Sequence, residues 1–152
     1  MRIIFKESFR NCLKLTSTTL PLNLYNIMDN AFQMSFGPLD ENVREINLNL
    51  PGSLKQIRGY AFQGYANEMG GMKKIKVLTF GDEFNPIAAF GNGISINNTA
   101  FQQTNIDYIV IYCDPTSVNS WTSDTATKTF PNLLNTNNIK FPLQGDDISQ
   151  IS

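Results

Sequence analysis

A two-part phrase recurs along this chain of 152 residues. Each copy has an apolar, strand-like run that ends in Leu-Pro or its equivalent, followed by an apolar residue, an isoleucine and Ala-Phe-Gln. The second copy extends from Ile46 to Gln63 and the first from Leu15 to Gln33, with identical spacing between Leu-Pro and Phe. Repeats of this size bury their apolar faces only against neighbouring copies. The phrase therefore predicts a small solenoid.

The third and fourth copies are less regular. Phe80 aligns with Leu50 and Ile87 with Ile57, so an insertion through about Asn98 is expected to delay the closing Ala-Phe-Gln. Upstream of each Leu-Pro position lies the pattern apolar, two free, apolar, one free, apolar or small. Its second half has the period of a strand, which predicts four parallel strands with inward apolar side chains. The four copies of the pattern are Cys12-Leu15-Ser17, Val43-Ile46-Leu48, Met72-Ile75-Val77 and Ile106-Ile109-Ile111.

The side chains between these apolar positions are expected to point outward and to form a binding face. The predicted face comprises Lys14, Thr16, Glu45, Asn47, Lys74, Lys76, Tyr108 and Val110, with Tyr112 beside them. Four strands span only about 15 Å, which falls short of the ~800 Å² that a standard interface takes from each partner. The longer loops at 34–42, 64–71 and 88–98 should therefore contribute. Phe36, Tyr65 and Phe90 in these loops are either aromatic anchors for a partner or core residues on the convex side.

The N-terminal end of the chain begins within a repeat. Ile4 to Phe9 match Ile27 to Phe32 in spacing, so no complete repeat precedes the first predicted strand. An uncapped parallel edge presents unpaired backbone groups, which natural proteins cover. We predict an assembly edge at Ile3, Ile4, Phe5 and Phe9. Two arrangements remain open: residues 1–9 fold over the edge, or a homo-oligomer or larger assembly covers it.

The repeated phrase resembles the BspA-type, or type-5, leucine-rich repeats over roughly residues 4 to 113. The segment from Ile109 to Trp121 is similar to that family's ending, in which a last strand runs into a Pro-x-Ser-Val helix that caps the repeats. The resemblance implies a leucine-rich-repeat solenoid of about four short parallel strands, with loops and short strands on the convex side and a C-terminal helical cap. It carries no shared catalytic residue, so function has to be argued from sites.

We expect one domain over 1–152, with repeats at 1–113, a cap at 114–143 and an extended tail at 144–152. The 41% of hydrophobic residues and 11 phenylalanines suffice for a core. A net charge of −1 and the lack of a basic cluster disfavour nucleic-acid binding. The N-terminus lacks the apolar stretch of a secretory signal, and no window reaches the length of a membrane span. Two locations stay open: the cell surface, with a leader outside this sequence, or a virion or the cytoplasm.

Catalysis is disfavoured by composition. The chain contains no histidine, which excludes Ser-His-Asp and Cys-His arrangements. The adjacent carboxylates Asp40-Glu41, Asp82-Glu83 and Asp146-Asp147 are expected to lie on solvated turns and to point in different directions. Cys12 and Cys113 belong to the first and fourth strand regions, about 14 Å apart if the strands stack, so both should be free thiols. We therefore expect no catalytic residue, no metal and no cofactor.

The sequence indicates a non-enzymatic binding module that makes protein–protein or cell-surface contacts. The alternative is a structural virion accessory or decoration protein of a bacteriophage, in which the repeat serves as an assembly block. Its partner would be a protein in either case: a foreign receptor, or identical copies joined into a homo-oligomer through the N-terminal edge.

Overall fold

The computed structural model describes residues 2–12, 15, 19–35, 45–64, 74–81, 95–112 and 127–151. Within them, two parallel sheets of four strands each contain eight strands in all. The short-strand sheet has the order β1–β2–β4–β6 and the long-strand sheet the order β3–β5–β7–β8. The strands are β1 (Ile3–Ile4), β2 (Asn26–Ile27), β3 (Glu45–Leu50), β4 (Gln56–Ile57), β5 (Lys74–Phe80), β6 (Ser95–Ile96), β7 (Ile106–Ile111) and β8 (Ile139–Lys140).

The short-strand sheet aligns one isoleucine from each repeat. Ile4, Ile27, Ile57 and Ile96 are register partners along it. Ile96 therefore takes the position of Ile57, and our alignment of Ile87 with Ile57 was wrong. The insertion precedes β6, within residues 82–94, because the closing Ala-Phe follows Ile96 at the same spacing as it follows Ile57.

A ladder of phenylalanines runs behind this sheet. The rings of Phe9, Phe32, Phe62 and Phe101 stack in order, with centroids 5.0, 5.1 and 5.1 Å apart and nearly parallel planes. Backbone bonds hold the same register: Phe32 N–H donates to the Ala61 carbonyl and Phe62 N–H to the Ala100 carbonyl, each at 2.7 Å. Ala31, Ala61 and Ala100 are fully buried, which explains the small residue before each Phe. Phe130 covers the far end of the ladder, 5.3 Å from Phe101.

The long strands alternate between a core face and an outward face. On β3 and β7, Ile46, Leu48, Ile109 and Ile111 are buried as predicted. Ile75 pairs with Ile46 on β3 and with Ile106 on β7. The register between β3 and β5 then shifts by one residue, so that Asn47 lies opposite Val77 and Leu48 opposite Leu78, whereas β5 and β7 stay in register.

Val77 was predicted to point inward, and that prediction was wrong. The extra residue on β5, Lys76, forms a β-bulge, and a one-residue shift moves every following side chain to the opposite face. Leu78 and Phe80, both at 0% exposure, take the inward positions instead. Val77 consequently joins the outward face, opposite Tyr108 on β7.

The first predicted strand lies largely outside the described residues, which include neither Lys14 nor Thr16. Leu15 packs against the core, and Thr19 forms a single parallel bridge with Asn49. Ile4, predicted as part of an exposed edge, is instead 3% exposed in a core cluster that extends to Phe130.

The C-terminal region closes the long-strand sheet with a strand. The predicted capping helix around residues 115–121 lies outside the described residues. In 127–151 the structure has three helical residues at 127–129, two short 3-10 turns and β8, so a helical cap is not shown. Ile139 and Lys140 of β8 pair in parallel with Ile109 and Val110. No helix within the described residues is long and apolar enough to cross a membrane.

Candidate protein-binding face

The outward face of the long-strand sheet, hereafter the strand face, combines apolar and polar side chains. The side chains that define it are Asn47 and Asn49 of β3, Val77 and Thr79 of β5, and Tyr108 and Val110 of β7, with Tyr112 directly after β7. The three sets stand side by side because the strands are parallel and in register. The polar residues lie toward β3 and the apolar ones toward β7. The face thus has an amide-rich half and an apolar half.

The apolar half of the strand face is covered by the chain's own C-terminal segment. Val77, Val110 and Ile151 are 8, 3 and 6% exposed and form a small cluster separate from the main core. Ile148, Tyr108 and Tyr112 pack against it. Val110 and Tyr108 therefore do point outward, but they are not the open surface that the sequence indicated. Burying a branched aliphatic side chain contributes about 1.5–3 kcal/mol, which makes Ile151 the principal anchor of the segment.

Local turns shape this segment, residues 145–151, hereafter the tail. Gly145 has a φ of 93°, in the left-handed region that favours glycine. Asp146 Oδ2 accepts from the Phe141 N–H at 2.8 Å, and the Ile151 N–H donates to the Ile148 carbonyl at 3.1 Å. The tail was expected to be extended, but it turns back and presents Ile148 and Ile151 from one turn. Sequence reasoning missed this pair because two isolated isoleucines carry no periodicity.

The pKa of Asp147 is lowered from its usual value of 3.8 because the carboxylate accepts the backbone N–H of Ser149, at 2.9 Å, and interacts with the Ser149 hydroxyl. Both acidic residues at 146–147 thus hold turns rather than converge on a cleft. The pairs at 40–41 and 82–83 lie outside the described residues.

An open groove runs between the tail and β3. It has a volume of about 220 Å³ and is lined by Asn47, Asn49, Val77, Thr79, Val110 and Tyr112, with Ile148 and Ile151 as its other wall. Amide and hydroxyl side chains can both donate and accept hydrogen bonds. The groove therefore suits a peptide backbone alongside apolar side chains.

The remaining predicted face residues are distributed as follows. Lys76 is half-buried at the bulge, and Glu45 and Lys74 lie at the starts of their strands. Phe36, Tyr65 and Phe90 lie outside the described residues, so their predicted role stays a prediction. Cys12 is a free thiol, as expected, and Cys113 lies outside the described residues.

The N-terminal edge is the end strand of the short-strand sheet. The carbonyls of Arg2 and Ile4 accept from Asn26 and Met28, both across the inner side of β1. β1 is the end strand of this sheet, so its outer side pairs with no other described strand. The side chains of Ile3 and Phe5 are 36 and 68% exposed.

A second, polar hollow of about 450 Å³ lies over the short-strand sheet. Its side chains bond to one another: Arg58 Nε contacts Asp29 Oδ1 at 2.8 Å, and Thr99 Oγ1 donates to Asn97 Oδ1 at 2.6 Å. Among the described residues, no group of three or more Cys, Asp or Glu is placed to hold a metal ion, and no buried side-chain polar atom lacks a hydrogen bond.

Comparison with known proteins gives one match. The model of the BspA type leucine rich repeat region matches residues 2–125, in 6 copies. The chain belongs to this family. BspA-type repeats generally form non-enzymatic protein-binding modules, which agrees with the strand face and its groove. No curated protein and no solved structure matches the chain.

Proposed function

We propose that this BspA-type repeat protein is a non-enzymatic module that binds a short segment of another protein on its strand face. The observation that carries the proposal is the groove between β3 and the tail, where polar side chains of Asn49 and Thr79 lie beside the apolar Val77 and Val110. A bound segment would bury apolar side chains against β5 and β7. The backbone of the bound segment would form hydrogen bonds with the side-chain amides of Asn47 and Asn49 on β3.

A random peptide library displayed on yeast and selected against the full chain tests this proposal. Selected peptides are then measured against a strand-face variant, N49R/T79R, and against the matched control Leu22→Arg, whose wild-type side chain is 83% exposed on the turn before β2 and does not line the groove. We expect at least tenfold weaker binding to the strand-face variant and unchanged binding to the control. Peptides that bind both variants equally well would refute the strand face as the site.

The second candidate function is a structural one, in which copies of the chain assemble as part of a virion. The exposed β1 edge favours it, because an unpaired strand edge is a template for pairing with another chain. Deletion of residues 1–9 would remove Ile4 and Phe9 from the core, so a point change is the better test. The assembly hypothesis requires an oligomer in light scattering that Ile3→Lys dissociates, while Lys6→Glu, on the neighbouring exposed turn, leaves its mass unchanged.

This candidate fails if the intact chain is a monomer at all concentrations. A monomer would favour the first proposal and a foreign partner, with the cell surface as the matching location. An oligomer would instead match a virion or cytoplasmic location.

A further inference from the structure

The tail occupies the apolar half of the very face that the proposed function assigns to a partner. Ile151 packs on Val77 and Val110, with Ile148 beside it, and both isoleucines also form one wall of the open groove. A partner that uses the whole strand face must therefore displace the tail. A partner that uses only the groove must contact it.

The tail starts next to the surface that it covers. Lys140 of β8 is the register partner of Val110, and only ten residues separate Lys140 from Ile151. Such a short connection keeps the tail at a high effective concentration over its own face. The geometry thus favours contact within one chain over exchange of tails between two copies.

The tail is held on the sheet by apolar side chains, while its hydrogen bonds are internal. The hydrogen bonds that Asp146, Asp147 and Ile151 make with described residues all close turns within residues 141–151. Docking therefore orders several residues in return for the burial of two isoleucines. Segments with so few buried contacts open at the low end of the range of local unfolding free energies.

We propose that the tail is an intramolecular stand-in for the partner, and that the partner segment presents two apolar side chains at positions i and i+3 of a turn, as Ile148 and Ile151 do. This inference rests on the proposed function and names the ligand class of the same face. The partner's two side chains would take the sites of Ile148 and Ile151 on Val77, Val110 and Tyr112. Its flanking backbone would extend over Asn49 and Thr79 toward β3.

The test uses the full chain, with the double variant I148S/I151S to release the tail and Q150A, at an exposed position of the same turn, as the matched control. The probe is a synthetic peptide with the sequence of residues 144–152. Its binding is followed by the amide chemical shifts of the protein in ¹H–¹⁵N NMR spectra. Without peptide, the amides of Val77, Val110 and Tyr112 should shift in I148S/I151S and not in the control.

With peptide at concentrations up to the millimolar range that an intramolecular competitor imposes, I148S/I151S should bind at least tenfold more tightly than the wild-type chain. When the peptide is bound to I148S/I151S, the amide chemical shifts of the strand face should return to their wild-type values. A peptide carrying both serine changes should not bind. Library selection against I148S/I151S should then enrich peptides with apolar residues three positions apart.

Three outcomes would overturn the inference. Unchanged strand-face shifts in I148S/I151S would mean that the tail does not cover the face. A mass that doubles with concentration in wild type and not in I148S/I151S would mean that tails are exchanged between copies. Selected peptides that bind the strand face without the i, i+3 spacing would mean that partners do not imitate the tail. In each of these cases the proposed function can stand. The proposed function itself fails if no selected peptide is sensitive to N49R/T79R, even when the tail peptide binds I148S/I151S as expected.

Discussion

Replacing rungs of the phenylalanine ladder tests whether stacking between repeats holds this fold together. Phe62 is 2% exposed and lies 5.1 Å from both Phe32 and Phe101. Among the described residues, Phe9 has one ring neighbour, Phe32, at 5.0 Å, and is only partly buried. The two positions share the same place in the repeat and differ in the number of faces covered. We therefore compare Phe62→Leu with Phe9→Leu.

The expected magnitudes follow from these contacts. A change of shape within a core costs up to about 1.5 kcal/mol when volume is roughly kept. Each stacked pair adds about 0.5–1.5 kcal/mol beyond burial. Phe62→Leu loses two pairs in a closed site and should cost about 2–4 kcal/mol. Phe9→Leu loses one pair at an open end and should cost about 1–2 kcal/mol.

Urea denaturation followed by circular dichroism measures both changes. The free energy of unfolding of a domain of this size is about 5–15 kcal/mol, so both leucine variants should remain folded, whereas Phe62→Ala at about 3–5 kcal/mol leaves little margin. As a control, the free energy of unfolding should fall with urea concentration at the same slope in each variant, which shows that the unfolded state is the same. Equal costs at Phe62 and Phe9 would refute the graded ladder. A Phe9 cost that grows with protein concentration would show that another copy covers the end.

Three further changes probe single interactions. Thr104 is fully buried and its hydroxyl donates to the Phe62 carbonyl at 2.5 Å. Thr104→Val removes this buried hydrogen bond and should cost about 1–3 kcal/mol in urea denaturation, whereas Thr136→Val, at an exposed position, should change stability by less than about 0.5 kcal/mol. A Cβ at Gly81 would lie 3.3 Å from the Gly52 nitrogen and the Leu50 oxygen, both backbone atoms that cannot yield, so Gly81→Ala should lower the melting temperature; at Gly59 the nearest atom is the Thr99 hydroxyl, a side chain, and Gly59→Ala should lower it less. The folded pKa of Asp147 is depressed, so the stability that its carboxylate gives to the turn of the tail is present above pH 3.8 and is lost as the pH falls through the folded pKa. The NMR chemical shift of the Ser149 amide should therefore titrate below pH 3.8. Asp147→Asn should abolish that titration.

The stacking along the short-strand sheet was predictable because each repeat carries the same residue types at the same spacing. Isoleucine, a small residue and phenylalanine recur from Ile27 to Phe32 and from Ile57 to Phe62, and both sets stack in register. The insertion was misplaced because Ile87 and Ile96 both fit an isoleucine position in a single sequence. Only the pairing of Ile57 with Ile96 distinguishes them.

The sequence predicted which strands form the strand face, but not which of its side chains are covered. Alternation assigned Asn47, Tyr108 and Val110 to the outward side, but a bulge is invisible to alternation, so Val77 was assigned to the wrong side. Covering of the face by the tail depends on a contact between residues that are distant in sequence. Neither the position of the turn at Ile148–Ile151 nor its landing site on Val110 has a local signal.

The sequence by itself determined the repeat, the family and the parallel stacking, because a repeated apolar spacing can be buried only against its own copies. The tertiary structure alone decided which outward side chains are open. That outcome depends on the extra residue at Lys76, which turns Val77 outward, and on the return of the chain after β8, which lays Ile151 over it. Apolar burial has no direction along the sequence and acts between whichever surfaces the folded chain brings together.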